Sequence, residues 1–285
     1  MNKQILDYLK RAYQQSRLVF FVGAGISKNS NLPTWDELIH LMAKKIGVKS
    51  SVLTRNDYLK IPELFWETQP KQYLNFVKDH FPVNAKTNPL DDLIVRLQPD
   101  HIITTNYDNL LEQSLRQTGL NRHYIVTYDD RSFLRKCGYG KHYLMKIHGD
   151  VNHLNDIVLR ESDYLNYRYT HVVMSDFIKS LLMTHVFLFI GYSLHDLNLN
   201  SIINWINNIK RRLGLFHKHE IKDVLLYNPS PHDIYSYEQE KAYFSHKNIA
   251  LINIQQLSDS NPNPFNSPIG NRVFHFLRMF QDPFQ

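Results

Sequence analysis

The sequence predicts a doubly wound α/β domain, a mostly parallel sheet with helices on both faces. Three observations predict it. Short, wholly apolar runs such as Leu18–Val22 and Val186–Ile190 read as strands covered on both sides, the pattern of a parallel sheet. Segments with helical spacing alternate with such runs along the 285 residues. Glycine, serine, asparagine and histidine follow the runs directly, at the strand ends where ligands bind in sheets of this kind.

Taken in order, residues 2–15 place Ile5, Leu6, Leu9 and Ala12 on one helical face. The strand Leu18–Val22 stops at Gly23. Thr34, with Glu37 three residues on, makes a capping box for a helix beginning at Trp35. Residues 47–99 read as mostly helical, broken at Pro62, Pro70, Pro82 and Pro89. Ile102-Ile103 is a short strand, followed by the polar stretch Thr104–Asp108 and a helix from Asn109 to about Gln117. Tyr143–Ile147 is a strand that ends at His148-Gly149; the apolar triplet Ile157–Leu159 follows, then helices over about 161–183. Val186–Ile190 runs into Gly191-Tyr192-Ser193, with His195 and Asp196 opening a long helix to about residue 212. Val224–Tyr227 and Ile249–Ile254 are further strands, residues 261–268 a loop, and about 270–280 a closing helix. One domain is expected over 1–285: a Rossmann-like core at about 16–46 and 100–255, a helical insertion at about 47–99, and a C-terminal loop and helix at about 256–285.

Composition narrows the possibilities. Hydrophobic residues make up 43% of the chain, enough for a real core, and 17 Tyr and 16 Phe favour a packed interior or an oligomer interface. A net charge of +6 suits a phosphate-rich ligand or nucleic acid without choosing between them. The single cysteine, Cys137, excludes an internal disulfide and any multi-cysteine zinc site, and fits a reducing cytoplasmic setting. The N-terminal segment has the character of a polar amphipathic helix and not of a signal peptide. Val186–Ile190 is far too short to span a bilayer, so no membrane association is expected. The basic stretch from Lys210 to His219 reads as a solvated helix end, and direct nucleic-acid binding stays open.

Four motifs carry chemistry. In Gly23-Ala24-Gly25-Ile26-Ser27, glycines after a buried strand permit a tight turn and close approach to a pyrophosphate. A plain strand-to-helix turn explains them equally well. In Thr104-Thr105-Asn106-Tyr107-Asp108, Asn106 can hold a ribose hydroxyl or orient a water, and also suits a turn. Asp108 suits the cap of the next helix. His148 is one of 15 histidines, but its place at a strand end suits a general base. Gly191-Tyr192-Ser193 repeats the glycine–serine turn on a later strand.

In this order the motifs resemble those of the sirtuin superfamily. Gly23–Ser27 looks like its GAGxS loop, Thr105–Asp108 like its NxD segment, His148-Gly149 like its catalytic HG, and Gly191–Ser193 like its later GxS turn. The resemblance implies Asn106 and His148 as catalytic residues. It implies Gly23, Ala24, Gly25, Ser27, Thr105, Asp108, Gly191 and Ser193 as the residues that hold NAD, with Ser193 and Asp196 toward the adenosine half and Asp36 behind the site. Protein-deacylating sirtuins carry two cysteine pairs that hold zinc, and one cysteine cannot supply them. Their IPDFR-type segment is replaced by Asn31-Leu32-Pro33-Thr34-Trp35.

This form is similar to the sirtuin-like domains of bacterial antiphage systems, and Ser162-Asp163-Tyr164 fits their pattern after the HG. That resemblance implies an NAD glycohydrolase that releases nicotinamide and linear or cyclised ADP-ribose, the effector of an abortive-infection system. NAD is the substrate, and no metal is expected. The alternatives are an NAD-dependent protein deacylase and a non-catalytic scaffold binding NAD or ADP-ribose. With no evident sensor segment, regulation is expected from homo-oligomerisation or from a partner such as a HerA-type ATPase or a short Argonaute.

Overall fold

The computed structural model describes residues 3–49, 53–54, 56–120, 123–192, 197–214, 223–230, 234–258 and 263–281. Within them, seven strands form one all-parallel sheet: β1 (Leu18–Val22), β2 (His101–Thr104), β3 (Tyr124–Thr127), β4 (His142–Lys146), β5 (Val186–Ile190), β6 (Asp223–Tyr227) and β7 (Ile249–Asn253). Their order is β3-β4-β2-β1-β5-β6-β7. The chain builds one side of the sheet with β2, β3 and β4, β4 lying between β2 and the edge strand β3, then returns beside β1 with β5 and builds the other side outward. The reversal puts a crevice at the carboxyl ends of the central strands. The architecture is the Rossmann-like α/β fold.

The apolar runs split between two cores by strand alternation. Leu18, Phe20 and Val22 of β1 and Val186, Leu188 and Ile190 of β5 face one core. Val19 and Phe21, with Phe187 and Phe189, face the other. The first core is covered by α1 (Lys3–Gln14), α6 (Pro89–Arg96), α7 (Leu110–Thr118) and α13 (Pro268–Arg278). The second is covered by α8 (Asp130–Lys136), α10 (Val172–Thr184), α11 (Leu197–Arg212) and α12 (Tyr237–His246). A third cluster lies beside the sheet. It joins α3 (Trp35–Lys45), α4 (Asp57–Thr68) and α5 (Pro70–His80) to Tyr107, Leu110, Val151, Ile157 and Leu159. The short α2 (Ala24–Ser27) follows β1, and α9 (Glu161–Thr170) ties to α4, where Glu63 accepts from the Ser162 amide at 2.8 Å.

Most elements form where residue spacing puts them. Thr34 and Glu37 make the expected capping box of α3. Three elements, β3, α8 and α12, have no counterpart in the sequence reading. β3 is an edge strand whose two central residues are only half-buried, so its apolar signal is short. Of the four prolines, Pro70 and Pro89 start α5 and α6 at positions that need no N–H donor. Pro62 instead sits inside α4 and is buried, so burial of that face outweighs the missing hydrogen bond. Ser193, His195, Asp196 and residues 215–219 of the basic stretch lie outside the described residues. No described helix is long and apolar enough to cross a membrane.

At the amino end of the sheet, Asp100 gathers three histidines. Its carboxylate lies 2.9 Å from His185 Nε2, 3.4 Å from His101 Nε2 and 3.2 Å from His142 Nδ1. Asp100, His101 and His185 bring ligand atoms within 4.8 Å of one another, as a metal site would. His101 Nδ1, however, accepts the Tyr143 amide at 3.1 Å. With Nδ1 accepting, the ring proton belongs on Nε2, the nitrogen that faces Asp100, and an Nε2 that carries a proton does not ligate a metal. The cluster braces β2, β4 and β5. Burial alone would raise Asp100, but the His185 bond and the nearby histidines hold it below its ordinary 3.8. Its contribution is therefore full above about pH 4 and is lost as the carboxylate protonates below that. Asp100→Asn is expected to cost about 1–3 kcal/mol at neutral pH and to flatten the acid limb of stability. Chemical denaturation from pH 3 to pH 7 checks this.

Candidate active site

The carboxyl ends of β1, β2, β4 and β5 surround a cleft of about 510 Å³ that is partly open to solvent. Its floor comes from the turns after these strands: Ala24, Thr105, Asn106, Asp108, His148 and Tyr192. The opposing wall comes from the helices beside the sheet, through Pro33, Trp35, Leu38 and Phe81, with Tyr164 of α9 closing one side.

The glycine turns are seated on each other. Gly23 N donates to Ile190 O and Gly25 N to Gly191 O, both at 2.9 Å. A Cβ on Gly23 would stand 2.4 Å from Gly191 O, and one on Gly191 2.8 Å from Ile26 N. Gly191 also has φ of +63°, a left-handed conformation that side chains resist. These glycines thus serve close packing between the β1 and β5 turns, and of the Gly23–Ser27 loop it is Ala24 that lines the cleft. Gly191→Ala is expected to destabilise the fold by about 2 kcal/mol or more through both effects, read as a lower denaturation midpoint.

Asn106, Ser27 and Asp108 form a chain of hydrogen bonds whose direction is fixed by chemistry. The Asp108 carboxylate can only accept, so the Ser27 hydroxyl donates to it, at 2.7 Å. Ser27 Oγ is then an acceptor for Asn106, whose Nδ2 donates to it at 2.9 Å. The other Asp108 oxygen accepts the Leu110 amide at 3.2 Å, the helix-capping role its position suggested. Thr104 Oγ1 accepts the Asn106 amide at 3.0 Å and donates to Val22 O at 2.8 Å, which ties this turn to β1. Asn106 Oδ1 is left buried with no hydrogen-bond partner. A buried acceptor in that state costs about 1–3 kcal/mol, a cost that a bound donor removes.

His148 stands across the cleft floor from this chain. Its carbonyl accepts the Val158 amide at 2.9 Å, so the buried Ile157–Leu159 segment holds the His turn in place of a strand. The ring meets Tyr164 edge-on at 5.6 Å and Tyr167 at 6.2 Å. Tyr167 stacks on His171 at 4.3 Å, and burial holds the His171 imidazole below its ordinary value. Asp36, expected behind the site, is exposed and accepts the Tyr58 hydroxyl; it does not line the cleft.

Lys146 is the residue the motifs did not single out. It is fully buried at the end of β4. Its Nζ donates to Glu112 at 2.7 Å, to Asp150 at 2.6 Å, and to the carbonyls of Tyr107 and Asp108. One ammonium thus joins the Asn106 turn, the start of α7 and the His148 turn. Burial would lower it, but Glu112 and Asp150 hold it above its ordinary value. Burial raises Glu112, while the ammonium keeps Asp150 below the usual carboxylate range even against burial. A charged residue within an otherwise apolar strand, with Asp150 four residues on, was the available signal.

Comparison with known proteins agrees with this geometry. Residues 100–252, more than half of the chain, match the SIR2-like domain family. Defense-associated sirtuin 2 of Bacillus subtilis is 32% identical over 270 residues, which cover 92% of this chain and 26% of that protein. The NAD(+) hydrolase ThsA of Cytobacillus dafuensis is 28% identical over 219 residues, covering 76% and 43%. The chain thus spans from about a quarter to about half the length of the curated relatives it matches. The crystal structure of a Sir2 homologue in complex with NAD superposes with a TM-score of 0.50 at 15% identity, covering 98% of this chain and 94% of that one. The fold, the ordered motifs and the family match together place the chain in the SIR2-like domain family.

Proposed function

We propose that the protein hydrolyses the bond between nicotinamide and ribose in NAD. The observation that carries this reading is Asn106, a buried amide whose nitrogen is committed to Ser27 and whose oxygen is an unsatisfied acceptor, on the cleft floor that also holds His148. An acceptor there suits a ribose hydroxyl or an attacking water. The printed names of the relatives, NAD(+) hydrolase and defense-associated sirtuin, support the same chemistry.

Nicotinamide in NAD is cationic and departs as a neutral molecule, so no acid or metal is needed to expel it. The barrier lies in an oxocarbenium-like transition state and in placing the nucleophile. Asn106 Oδ1 accepts from the ribose or the water and holds it in register. His148 takes the proton from that hydroxyl or water as the new C–O bond forms. Thr105 and Ala24 shape the floor beneath the ribose and pyrophosphate, and the Gly23–Gly25–Gly191 contact sets the spacing of the two turns. Asp108 and Ser27 act through Asn106 by fixing its orientation.

At the level of the whole protein, the reading is an antiphage effector that depletes NAD in the cytoplasm, working as a homo-oligomer or under a partner such as a HerA-type ATPase or a short Argonaute. The test is to incubate the full chain, alone and with its partner, with NAD and follow nicotinamide by chromatography. Release of nicotinamide is expected; NAD that is bound and returned intact would replace this reading with that of a binding scaffold.

A further inference from the structure

The helical wall of the cleft holds an unassigned recognition group. Trp35 is the first residue of α3 and is set firmly in place. Glu37 accepts from the Thr34 amide at 2.8 Å and from the Lys28 ammonium at 2.7 Å, which fixes the start of the helix. The indole packs on Tyr58 with ring centres 5.1 Å apart, and the Tyr58 hydroxyl is tied to Asp36. Trp35 lines the same cleft as Asn106 and His148, yet its Nε1 is buried with no hydrogen-bond partner. An indole N–H can only donate, and indole nitrogens in protein interiors normally find an acceptor. Two residues that line the cleft therefore carry buried, unsatisfied atoms of opposite kind: the Asn106 acceptor on the strand-end side and the Trp35 donor on the helical side.

We propose that Trp35 is a specificity-determining residue that donates its indole N–H to the carboxamide oxygen of the nicotinamide ring. The inference rests on the NAD-cleaving reading of the site. The floor, with Asn106 and His148, takes the ribose. What lies toward the wall is the leaving base, a flat cationic ring with one carbonyl acceptor. Trp35, Phe81 and Tyr164 offer that ring aromatic surfaces, which favour a cation, and among these three the indole supplies the N–H donor. The wall thereby distinguishes the base of NAD from a ligand that ends at the ribose.

Trp35→Phe removes the donor and keeps an aromatic ring against Tyr58, so folding is checked by an unchanged thermal midpoint. Binding of NAD and of ADP-ribose is measured by calorimetry, and nicotinamide release by steady-state rates. The variant is expected to weaken NAD, as Kd or KM, about three- to tenfold and to leave ADP-ribose binding unchanged. Loss of the NAD effect, or equal weakening of both ligands, overturns the assignment. Failure of the wild type to release nicotinamide while NAD binding still depends on Trp35 overturns the hydrolase reading and leaves the recognition role standing. A dinucleotide whose pyridinium ring lacks the carboxamide should be used equally well by wild type and variant; a variant that handles it worse than the wild type would show Trp35 acting through ring packing alone.

Discussion

Lys146→Met is expected to destabilise the fold by about 3–5 kcal/mol, on the order of 10 °C in thermal midpoint. Methionine fills the space but leaves Glu112 and Asp150, both poorly exposed, without their shared cation. It also strips the Tyr107 and Asp108 carbonyls of their donor. The cost comes from breaking a buried ion cluster on one side only, which is why a second substitution should recover part of it. Lys146→Met combined with Glu112→Gln removes one of the stranded charges, and the pair should be less destabilised than the sum of the two single variants. Denaturant unfolding of the four proteins in this cycle measures the coupling. Strict additivity would show that Lys146 and Glu112 do not act as a pair.

His148→Ala is expected to lower nicotinamide release by about 10²–10⁴-fold, the usual worth of a positioned general base. Asn106→Ala should lower it by about 10²–10³-fold, the scale of losing one preorganised polar group. Asn106→Asp is the sharper test. It keeps the size and supplies an acceptor, but it places a carboxylate beside Ser27, whose proton is already given to Asp108. The chain of bonds then has two acceptors and one donor, and the side chain turns away. Activity near that of wild type in Asn106→Asp would mean that only the acceptor matters and that Ser27 and Asp108 do not orient it. Circular dichroism of each variant separates loss of chemistry from loss of fold.

Much of this fold is legible because its central strands are simple. Leu18–Val22 and Val186–Ile190 are buried on both faces, so every residue is apolar and the run stands out. The edge strand Tyr124–Thr127 is half-exposed and short, and α12 buries chiefly Phe244, so neither leaves a strong periodic trace. The site shows the same division. Asn106 and His148 sit at strand ends, where position alone marks them. The bond from Asn106 to Ser27 joins residues 79 apart, and Lys146 reaches Glu112 across 34. Such pairings follow from strand order, and no local spacing encodes them. The glycines were legible as a required turn, but their use for backbone contact between two strands needed the neighbouring turn to be in view.

The two sides of the cleft come from different kinds of element and meet in one apolar cluster, where Phe81 packs on Tyr107. Asn106 and His148 stand on turns of the sheet, whereas Trp35 and Phe81 hang from the helices that share the third apolar cluster. On the proposed reading, the reacting groups stand on strand-end turns and the recognition group on a helix, and the third apolar cluster ties the two together. Substitutions in α3 to α5 that spare the packing on Tyr107 and Val151 are then expected to change which molecule is admitted while the reacting groups keep their places.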